Sequence, residues 1–351
     1  MLERLGLLDE IAADSEPIER LVARTRSGRL VLDLPYSAAG SGLQALGVHR
    51  STLHAALVRL ADKAGVAVEP GCHVTRIADD ALLLADGERR GPFDVIVVAD
   101  GSASTLRNTD GLVRFRHDYA YGALWTIGRT SSVSGRLEQA VHGSRELIGL
   151  LPLGGGRCNF FASVRLDRLD AIRAAGFDRW RSGVVDLLPE ADEVISHVRG
   201  FDDLSVTSYR HVQLRRPFSG RVVLIGDAAH AMSPHLGQGV NLALIDAWEL
   251  AAAFATSPSV EHALRAYADR RRAHLRYYVL VTFALSPFFQ SQGVALGLLR
   301  DVALPTLTRI PPLRRHMAAT AAGLVAGFVP RRIRLSEVAG SGPGVETTPA
   351  A

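Results

Sequence analysis

The chain has 351 residues, of which 47% are hydrophobic and 22% are charged. These values exclude a disordered chain, a collagen-like repeat and a disulfide-stabilised mini-protein, and the length predicts two or three domains. The formal net charge of +4 does not favour nucleic acid as a partner. The two cysteines, Cys72 and Cys158, are too few for a thiolate zinc cage, so we expect no metal site and a cytoplasmic protein.

The first ten residues do not have the pattern of a signal peptide. The longest apolar stretch, at 279–289, is shorter than the roughly 20 residues of a membrane-spanning helix. The apolar tail 279–329 with its nearby arginines leaves two interpretations open. We favour a helical cap over a weak contact with a membrane surface.

The first hundred residues alternate between helix and strand signals. Apolar residues at helical spacing predict a helix from Ser51, which would cap it, to Gly65, which would end it. Short apolar runs predict small strands at 66–69 and 81–85. The continuous apolar run at 94–99 predicts a strand that is buried on both faces of a parallel sheet.

The region from 112 to about 217 has a different pattern, with β candidates separated by glycine-rich turns. Strands are predicted at 125–127, 147–151 and 159–164, with one helix at 171–188. This pattern favours a mostly antiparallel sheet inserted in the chain.

The α/β pattern returns at 221–225, a second buried-strand signature. A helix is predicted over 239–254, and a mostly helical tail over 260–324. The last residues, 340–351, have a composition typical of disorder. The helical tail is expected to break at its prolines: Pro287, Pro305, Pro311 and Pro312.

Both buried strands end at an aspartate, Asp100 and Asp227. Ligands of open α/β sheets bind at the carboxyl ends of the strands. A carboxylate suits the hydroxyls of a polyol, and the free amides of a helix start suit developing negative charge. Each feature alone is typical of an ordinary turn, and His230 alone is best interpreted as a packed or capping residue. Their conjunction indicates one binding site.

Three segments carry a family resemblance. Residues 223–246, VLIGDAAHAMSPHLGQGVNLALID, resemble the second flavin-binding motif of the FAD-dependent aromatic hydroxylases, the para-hydroxybenzoate hydroxylase-like class A flavoprotein monooxygenases. Residues 100–107 are similar to the middle motif of that family. The pair at 49–50 resembles the segment whose arginine faces FAD.

The resemblance implies roles for individual residues. Asp227 would bind the ribitol chain of FAD, Arg50 would contact the diphosphate, and the helix that begins near Gly239 would direct its positive end at the flavin ring. The full set of implied FAD-binding residues is Arg50, Asp100, Asp227, Pro234, Gly237, Gly239, Val240 and Asn241.

The implied fold is α/β: an incomplete Rossmann-like FAD-binding domain, an inserted antiparallel substrate domain and a helical C-terminal region. The expected boundaries are 1–110 and 218–256 for the FAD-binding domain, 111–217 for the substrate sheet, 257–330 for the cap and 331–351 for a flexible tail.

Members of the family begin with a strand and a Gly-x-Gly-x-x-Gly turn that hold the ADP half of FAD. The glycine clusters at 40–42 and 154–156 lack this spacing. A start codon assigned too late is our preferred interpretation. A natural truncation and a diverged form that no longer binds FAD are the alternatives.

The implied activity is an FAD-dependent monooxygenase that uses NADH or NADPH and O2 to hydroxylate or epoxidise a small organic substrate, aromatic or polyketide-like, through a flavin hydroperoxide. Tyr209 and His211 are the candidates for a catalytic base, although a solvent-facing strand pair is the preferred interpretation. The alternatives are a flavin-dependent reductase or dehydrogenase acting on a lipophilic substrate, and a flavin-free remnant or partner subunit. Four residues could line a substrate chamber or be plain core: Tyr121, Trp125, Leu153 and Phe161.

Overall fold

The computed structural model describes residues 1–328 and 331–337, apart from the side chains of 108–110. The described chain is a mixture of helix and sheet, which confirms the predicted fold class. The tail at 340–351 lies outside the described residues. The helices are α1 Leu8–Ala13, α2 Arg50–Lys63, α3 Leu169–Ala174, α4 Phe177–Leu187, α5 Ala191–Val194, α6 Gly226–His230, α7 Gly239–Thr256, α8 Val260–Phe289, α9 Val294–Arg309 and α10 Pro311–Ala321. The strands are β1 Glu16–Ile18, β2 Arg20–Thr25, β3 Leu30–Pro35, β4 Ala45–Gly47, β5 Val74–Ala78, β6 Ala81–Leu84, β7 Arg89–Arg90, β8 Ile96–Val98, β9 Val113–Arg129, β10 Arg136–His142, β11 Glu146–Gly154, β12 Arg157–Arg165, β13 Ser205–Leu214, β14 Phe218–Ser219 and β15 Val222–Leu224.

The largest sheet has seven strands in the order β13-β9-β12-β11-β10-β2-β3. Every neighbouring pair is antiparallel except β10 and β2, so the mostly antiparallel sheet is confirmed. The hairpin of β2 and β3 joins this sheet from a segment that the sequence assigns to the FAD-binding domain. The sheet therefore reaches beyond 111–217, and the other domain boundaries stay predictions.

Helices cover both faces of this sheet. On one face, Val184 of α4 and Ile195, which follows α5, pack into a core with Phe160 of β12. On the opposite face, Phe161 and Phe289 pack against a second core that includes residues of α9 and α10. The alternation of β12 explains this division, because neighbouring residues of a strand point to opposite faces.

The smaller α/β sheet brings the two predicted buried strands together. β15 pairs with β8 in parallel, and β14 pairs with β15 antiparallel. All three residues of β15 are buried, as expected. The expectation for 94–99 is wrong in one respect, because Val97 is 42% exposed. Ile96 and Val98 point to the covered face of β8, whereas Val97 points to the opposite face, which the described residues leave uncovered.

Three local predictions need correction. The cap of α2 is His49, whose Nδ1 accepts a hydrogen bond from the Ser51 amide at 3.2 Å. Residues 66–69 form no strand and are exposed. The helix expected at 171–188 is two helices, α3 and α4, separated at Gly176 with a φ of 97°.

Two of the expected proline breaks are also wrong. Pro287 lies inside the last turn of α8, and Pro305 lies inside α9. A proline near a helix end removes a single backbone hydrogen bond, which tertiary packing can offset. Pro311 begins α10, as expected.

The break in the helical tail falls between α8 and α9, which meet at a bend of 113°. Among the described helices, no single one is long and apolar enough to cross a membrane, and only this bent pair reaches the required length and composition. Val294, Leu298, Leu299 and Val302 of α9 are exposed. A weak contact with a membrane surface stays the untested alternative to the helical cap.

Candidate cofactor and substrate site

The carboxyl ends of β8 and β15 lie side by side. Val98 is opposite Leu224, and the Ile225 amide donates to the Val98 carbonyl at 3.1 Å. Asp100 and Asp227 follow these strands at the same edge, and both are exposed. Asp100 and Asp227 therefore lie together at the carboxyl ends of the two strands, as predicted.

Arg107 connects the two motifs. Its side chain is 2% exposed, and its Nη2 donates to the Gly101 carbonyl at 2.7 Å and to the Asp227 carbonyl at 3.1 Å. The Ser104 hydroxyl accepts a hydrogen bond from the Arg107 amide at 3.2 Å. Burial lowers the pKa of Arg107. Arg107 thus fixes the backbone of both motifs and leaves the Asp227 carboxylate free of this contact.

The N-terminus of α7 lies beside Asp227. Gly237 has a φ of 64°, a left-handed conformation that favours glycine, and α7 begins two residues later. A Cβ on Gly239 would lie 3.8 Å from Asp227 Oδ1, and a Cβ on Gly237 would meet no described atom within 4 Å. Val240 and Asn241 are exposed. Open space, a carboxylate and the first amides of a helix therefore meet at one place, which suits a polyol joined to an electron-accepting ring.

Gln238 connects this loop to the C-terminal helix. Its Nε2 donates to the Ala321 carbonyl at 2.7 Å, and its Oε1 accepts from Asn241 Nδ2 at 3.0 Å. A Cβ on Gly323 would lie only 2.4 Å from that Oε1. The end of α10 therefore holds the glycine loop in place, a contact that the sequence analysis did not find.

Gly323→Ala is expected to weaken FAD binding, because the new methyl group displaces the Gln238 side chain that holds the loop. Gly28→Ala is the matched control: the φ of Gly28 is 78° against 77° for Gly323, and its Cβ would meet no described atom within 4 Å. Both variants should lose about 1 kcal/mol of stability through backbone strain. Flavin fluorescence titration measures the difference, and equal FAD affinities for the two variants would contradict the role of Gln238.

A buried ionic cluster holds the backbone just before Asp227. Asp246 is fully buried and accepts hydrogen bonds from Arg271 Nε at 2.7 Å, the Gly226 amide at 2.8 Å and His230 Nε2 at 2.5 Å. Burial alone would raise the pKa of Asp246, but the interactions with His230 and Arg271 outweigh it and lower that pKa. Asp246 therefore fixes the backbone just before Asp227, and His230 is packed, as expected.

Among the described residues, no contact joins Arg50 to the predicted FAD-binding residues around Asp227 and α7. Arg50 is the first residue of α2 and is exposed. Pro234 begins the short 3₁₀ turn Pro234–Leu236 that leads to Gly237 and α7. The FAD-binding roles of all these residues stay predictions.

The two candidate bases are less exposed than expected. Burial raises the pKa of Tyr209 to about 12, so its phenol stays protonated at neutral pH. His211 is 3% exposed, because the rings of Phe115 and Phe283 cover it. The expectation of a solvent-facing pair is therefore wrong for His211. Burial, assisted by His117, lowers the pKa of His211 to about 4.

A β-bulge redirects the tyrosines of β9. Three residues of β9 lie opposite Tyr209 alone, where the register with β13 shifts. Tyr121 donates to the Ser291 carbonyl at 3.2 Å, and the Tyr119 hydroxyl lies 3.5 Å from Ser286 Oγ. Bulges of this kind are common beside active sites because they re-aim side chains.

One face of the large sheet presents aromatic surface. Trp125 lies opposite Phe161 in the ladder, and both are half-buried. The Phe161 ring occupies the space that a Cβ on Gly149 would need, at 2.1 Å. Leu153 and Tyr121 are buried, which favours plain core for those two. Trp125 and Phe161 remain candidates for contact with a flat substrate.

Two cavities of about 620 Å³ each lie elsewhere, along β2 and β10. Arg20 pairs with Asp33 at 3.3 Å and Arg24 with Glu138 at 3.7 Å in one of them, so the charges that line it are largely compensated. Neither cavity contains a predicted FAD-binding residue. We therefore do not assign the cofactor site to them.

Residues 1–281 match the family model described as an FAD-binding domain. This chain belongs to that FAD-binding family. It is 28% identical over 295 residues to 2-heptyl-3-hydroxy-4(1H)-quinolone synthase of Pseudomonas aeruginosa strain UCBPP-PA14, covering 77% of this chain and 72% of that protein. It is 30% identical over 287 residues to 3-amino-4-hydroxybenzoate 2-monooxygenase PtnB3 of Streptomyces platensis, covering 75% of this chain and 68% of that protein.

A solved structure shows the same fold. Klebsiella pneumoniae HpxO complexed with FAD and uric acid superimposes with a TM-score of 0.74 at 23% identity, covering 92% of this chain and 85% of that chain. The expected relation to the FAD-dependent aromatic hydroxylases is thereby confirmed for the family. The chain is accordingly an oxidoreductase of the FAD-dependent monooxygenase class, with FAD as its cofactor.

Proposed function

We propose that this chain uses NADH or NADPH and O2 to hydroxylate a small aromatic compound. The observation that carries the proposal is the exposed Asp227 carboxylate beside the first turn of α7, at the edge where β8 and β15 end. FAD, when bound there, supplies the redox chemistry that activates oxygen.

The residues of the chain position the cofactor and the substrate, polarise the cofactor ring and exclude water. Asp227 accepts hydrogen bonds from the polyol of the cofactor, and the amides of α7 stabilise negative charge on its ring. Arg107 and Gln238 hold these two elements in register. Trp125 and Phe161 offer an apolar face to the substrate ring, which limits access of water to the reaction.

The proposed substrate class is a nitrogen-bearing aromatic or heteroaromatic compound. The relatives and the solved structure are named for a quinolone, an aminohydroxybenzoate and uric acid, which all carry nitrogen in or on a conjugated ring. Compounds of this kind also carry an acidic hydroxyl or ring N–H, and the half-buried aromatic pair of the sheet suits their flat shape.

The test is substrate-dependent oxidation of NADH or NADPH by the FAD-loaded protein in the presence of O2. A panel of hydroxyquinolines, aminohydroxybenzoates and purines should yield a product that is one oxygen atom heavier, with the added atom derived from isotopically labelled O2. Turnover of these compounds without O2 would instead indicate a reductase or dehydrogenase. Failure of the wild-type chain to bind FAD would contradict the proposal for this chain.

A further inference from the structure

A row of polar side chains leads away from the glycine loop into the protein. His235 Nδ1 lies 2.8 Å from Ser233 Oγ, and Ser233 Oγ lies 2.7 Å from Ser286 Oγ. The Tyr119 hydroxyl follows at 3.5 Å from Ser286. Ser233 and Ser286 are each only 2% exposed, so these contacts are shielded from water.

The number of protons in the row determines the tautomer of His235. Ser286 donates to the Thr282 carbonyl at 2.8 Å, and a serine has one proton to donate. Ser286 Oγ therefore accepts from Ser233, and Ser233 Oγ accepts from His235 Nδ1–H. His235 Nε2 is then an unprotonated acceptor, and it is buried without a partner among the described residues. An unsatisfied buried acceptor costs about 1–3 kcal/mol, which points to a ligand that supplies the missing donor.

The position of His235 identifies that ligand. His235 lies in the turn that leads into α7, and its ring is 5.6 Å from the ring of Phe289. Phe289 packs on the same core as Phe161, on the aromatic face of the large sheet. His235 thus lies in the proposed cofactor loop, and its neighbour Phe289 packs against the same core as Phe161 of the face that we propose contacts the substrate. The inference rests on the function proposed above.

We propose that His235 Nε2 binds and deprotonates an acidic O–H or ring N–H of the aromatic substrate, and that Ser233 and Ser286 relay the displaced proton to Tyr119. The substrate O–H or N–H bond breaks as Nε2–H forms, and the Nδ1 proton passes to Ser233. The Ser233 proton passes to Ser286, the Ser286 hydroxyl turns its own proton from the Thr282 carbonyl to Tyr119, and the original Tyr119 proton leaves to water. No electrons are transferred, and the imidazole ends the step neutral.

Burial favours a neutral imidazole at His235. Burial lowers the pKa of His235 to about 4, so a free imidazolium is unfavourable at neutral pH, and the relay avoids forming one. Burial also raises the pKa of Tyr119, which therefore takes part as a phenol. The Arg300 guanidinium lies 5.3 Å from the Phe289 ring on which His235 packs, and the His117 ring lies 5.0 Å from Tyr119. Asp301 pairs with the Arg300 guanidinium at 2.6 Å and compensates its charge.

The tautomer can be measured without any activity. Long-range proton–nitrogen NMR of histidine-labelled, FAD-loaded protein, with His235→Gln to assign the signals, should show Nδ1 protonated and Nε2 unprotonated. In Ser286→Ala the Ser233 hydroxyl is free to donate to Nδ1, so the proton should move to Nε2. Ser286→Thr retains a hydroxyl and should restore the wild-type tautomer. An Nε2–H tautomer in the wild type, or an unchanged tautomer in Ser286→Ala, would overturn the relay.

Turnover separates this inference from the proposed function. With a substrate identified as above, Ser286→Ala should lower kcat by about 100-fold or more with a smaller change in KM, because proton transfer is lost while the substrate still binds. Its FAD affinity should match that of the wild type and of Ser291→Ala, a control whose hydroxyl accepts from the Gly293 amide outside the row. Wild-type hydroxylation with unchanged kcat in Ser286→Ala would refute the relay and leave the monooxygenase intact. A wild type that neither binds FAD nor hydroxylates would refute the proposed function instead, whatever the tautomer of His235.

Discussion

Asp227→Ala is expected to weaken FAD binding by about 10- to 150-fold. The Asp227 carboxylate is exposed beside Gly239, where a polyol hydroxyl can donate to it. A hydrogen bond to a charged group contributes about 1.5–3 kcal/mol, which corresponds to that range of dissociation constants. Asp227→Asn should have an intermediate effect, because one oxygen acceptor remains without the charge. Fluorescence titration with FAD measures all three proteins.

Asp94→Ala is the matched control for this prediction. Asp94 is an exposed aspartate just before β8, at the opposite end of the strand from Asp100, and within the described part of the chain it forms an ion pair only with exposed Arg221, at 3.6 Å. Asp227→Ala should fold normally, because Arg107 binds the backbone carbonyl of Asp227 and not its side chain. Equal FAD affinities of the Asp94→Ala and Asp227→Ala variants would contradict the assignment of the cofactor to this sheet edge.

The strand ends were predictable because their signal is local. A continuous apolar run followed by aspartate identifies both β8 and β15, and parallel pairing places Asp100 and Asp227 together. Burial was less predictable, because it depends on what packs against a strand. Val97 is exposed because only the opposite face of β8, with Ile96 and Val98, is covered, and His211 is buried since Phe283 of α8 covers it.

The supporting contacts of the site were not predictable from spacing along the chain. Gln238 meets the end of α10, and His235 meets Ser286 of α8, both far away in sequence. One signal was available for the ionic cluster. Arg271 and His274 lie at helical spacing in the same buried stripe as apolar and aromatic residues of α8. A charged residue in such a stripe indicates a buried partner, which proves to be Asp246.

Asp246→Ala is expected to lower the free energy of unfolding by about 3–5 kcal/mol, because it leaves the buried Arg271 guanidinium without its counter-ion and the Gly226 amide without its acceptor. Urea unfolding followed by circular dichroism measures the change. Asp269→Ala is the matched control, since Asp269 also pairs with an arginine, Arg272 at 2.6 Å, but both side chains are exposed. That control should unfold like the wild type.

The same substitution should change how stability depends on pH. The interactions with His230 and Arg271 outweigh the burial that alone would raise the pKa of Asp246, so that pKa is lowered in the folded state. A lowered carboxyl pKa contributes stability that is fully present above the unfolded value, about 3.9, and is lost as the pH falls toward the folded value. The stability difference between wild type and Asp246→Ala should therefore shrink as the pH falls below about 4. A difference that stays constant down to about pH 2 would mean that Asp246 stabilises the fold through packing and not through its charge.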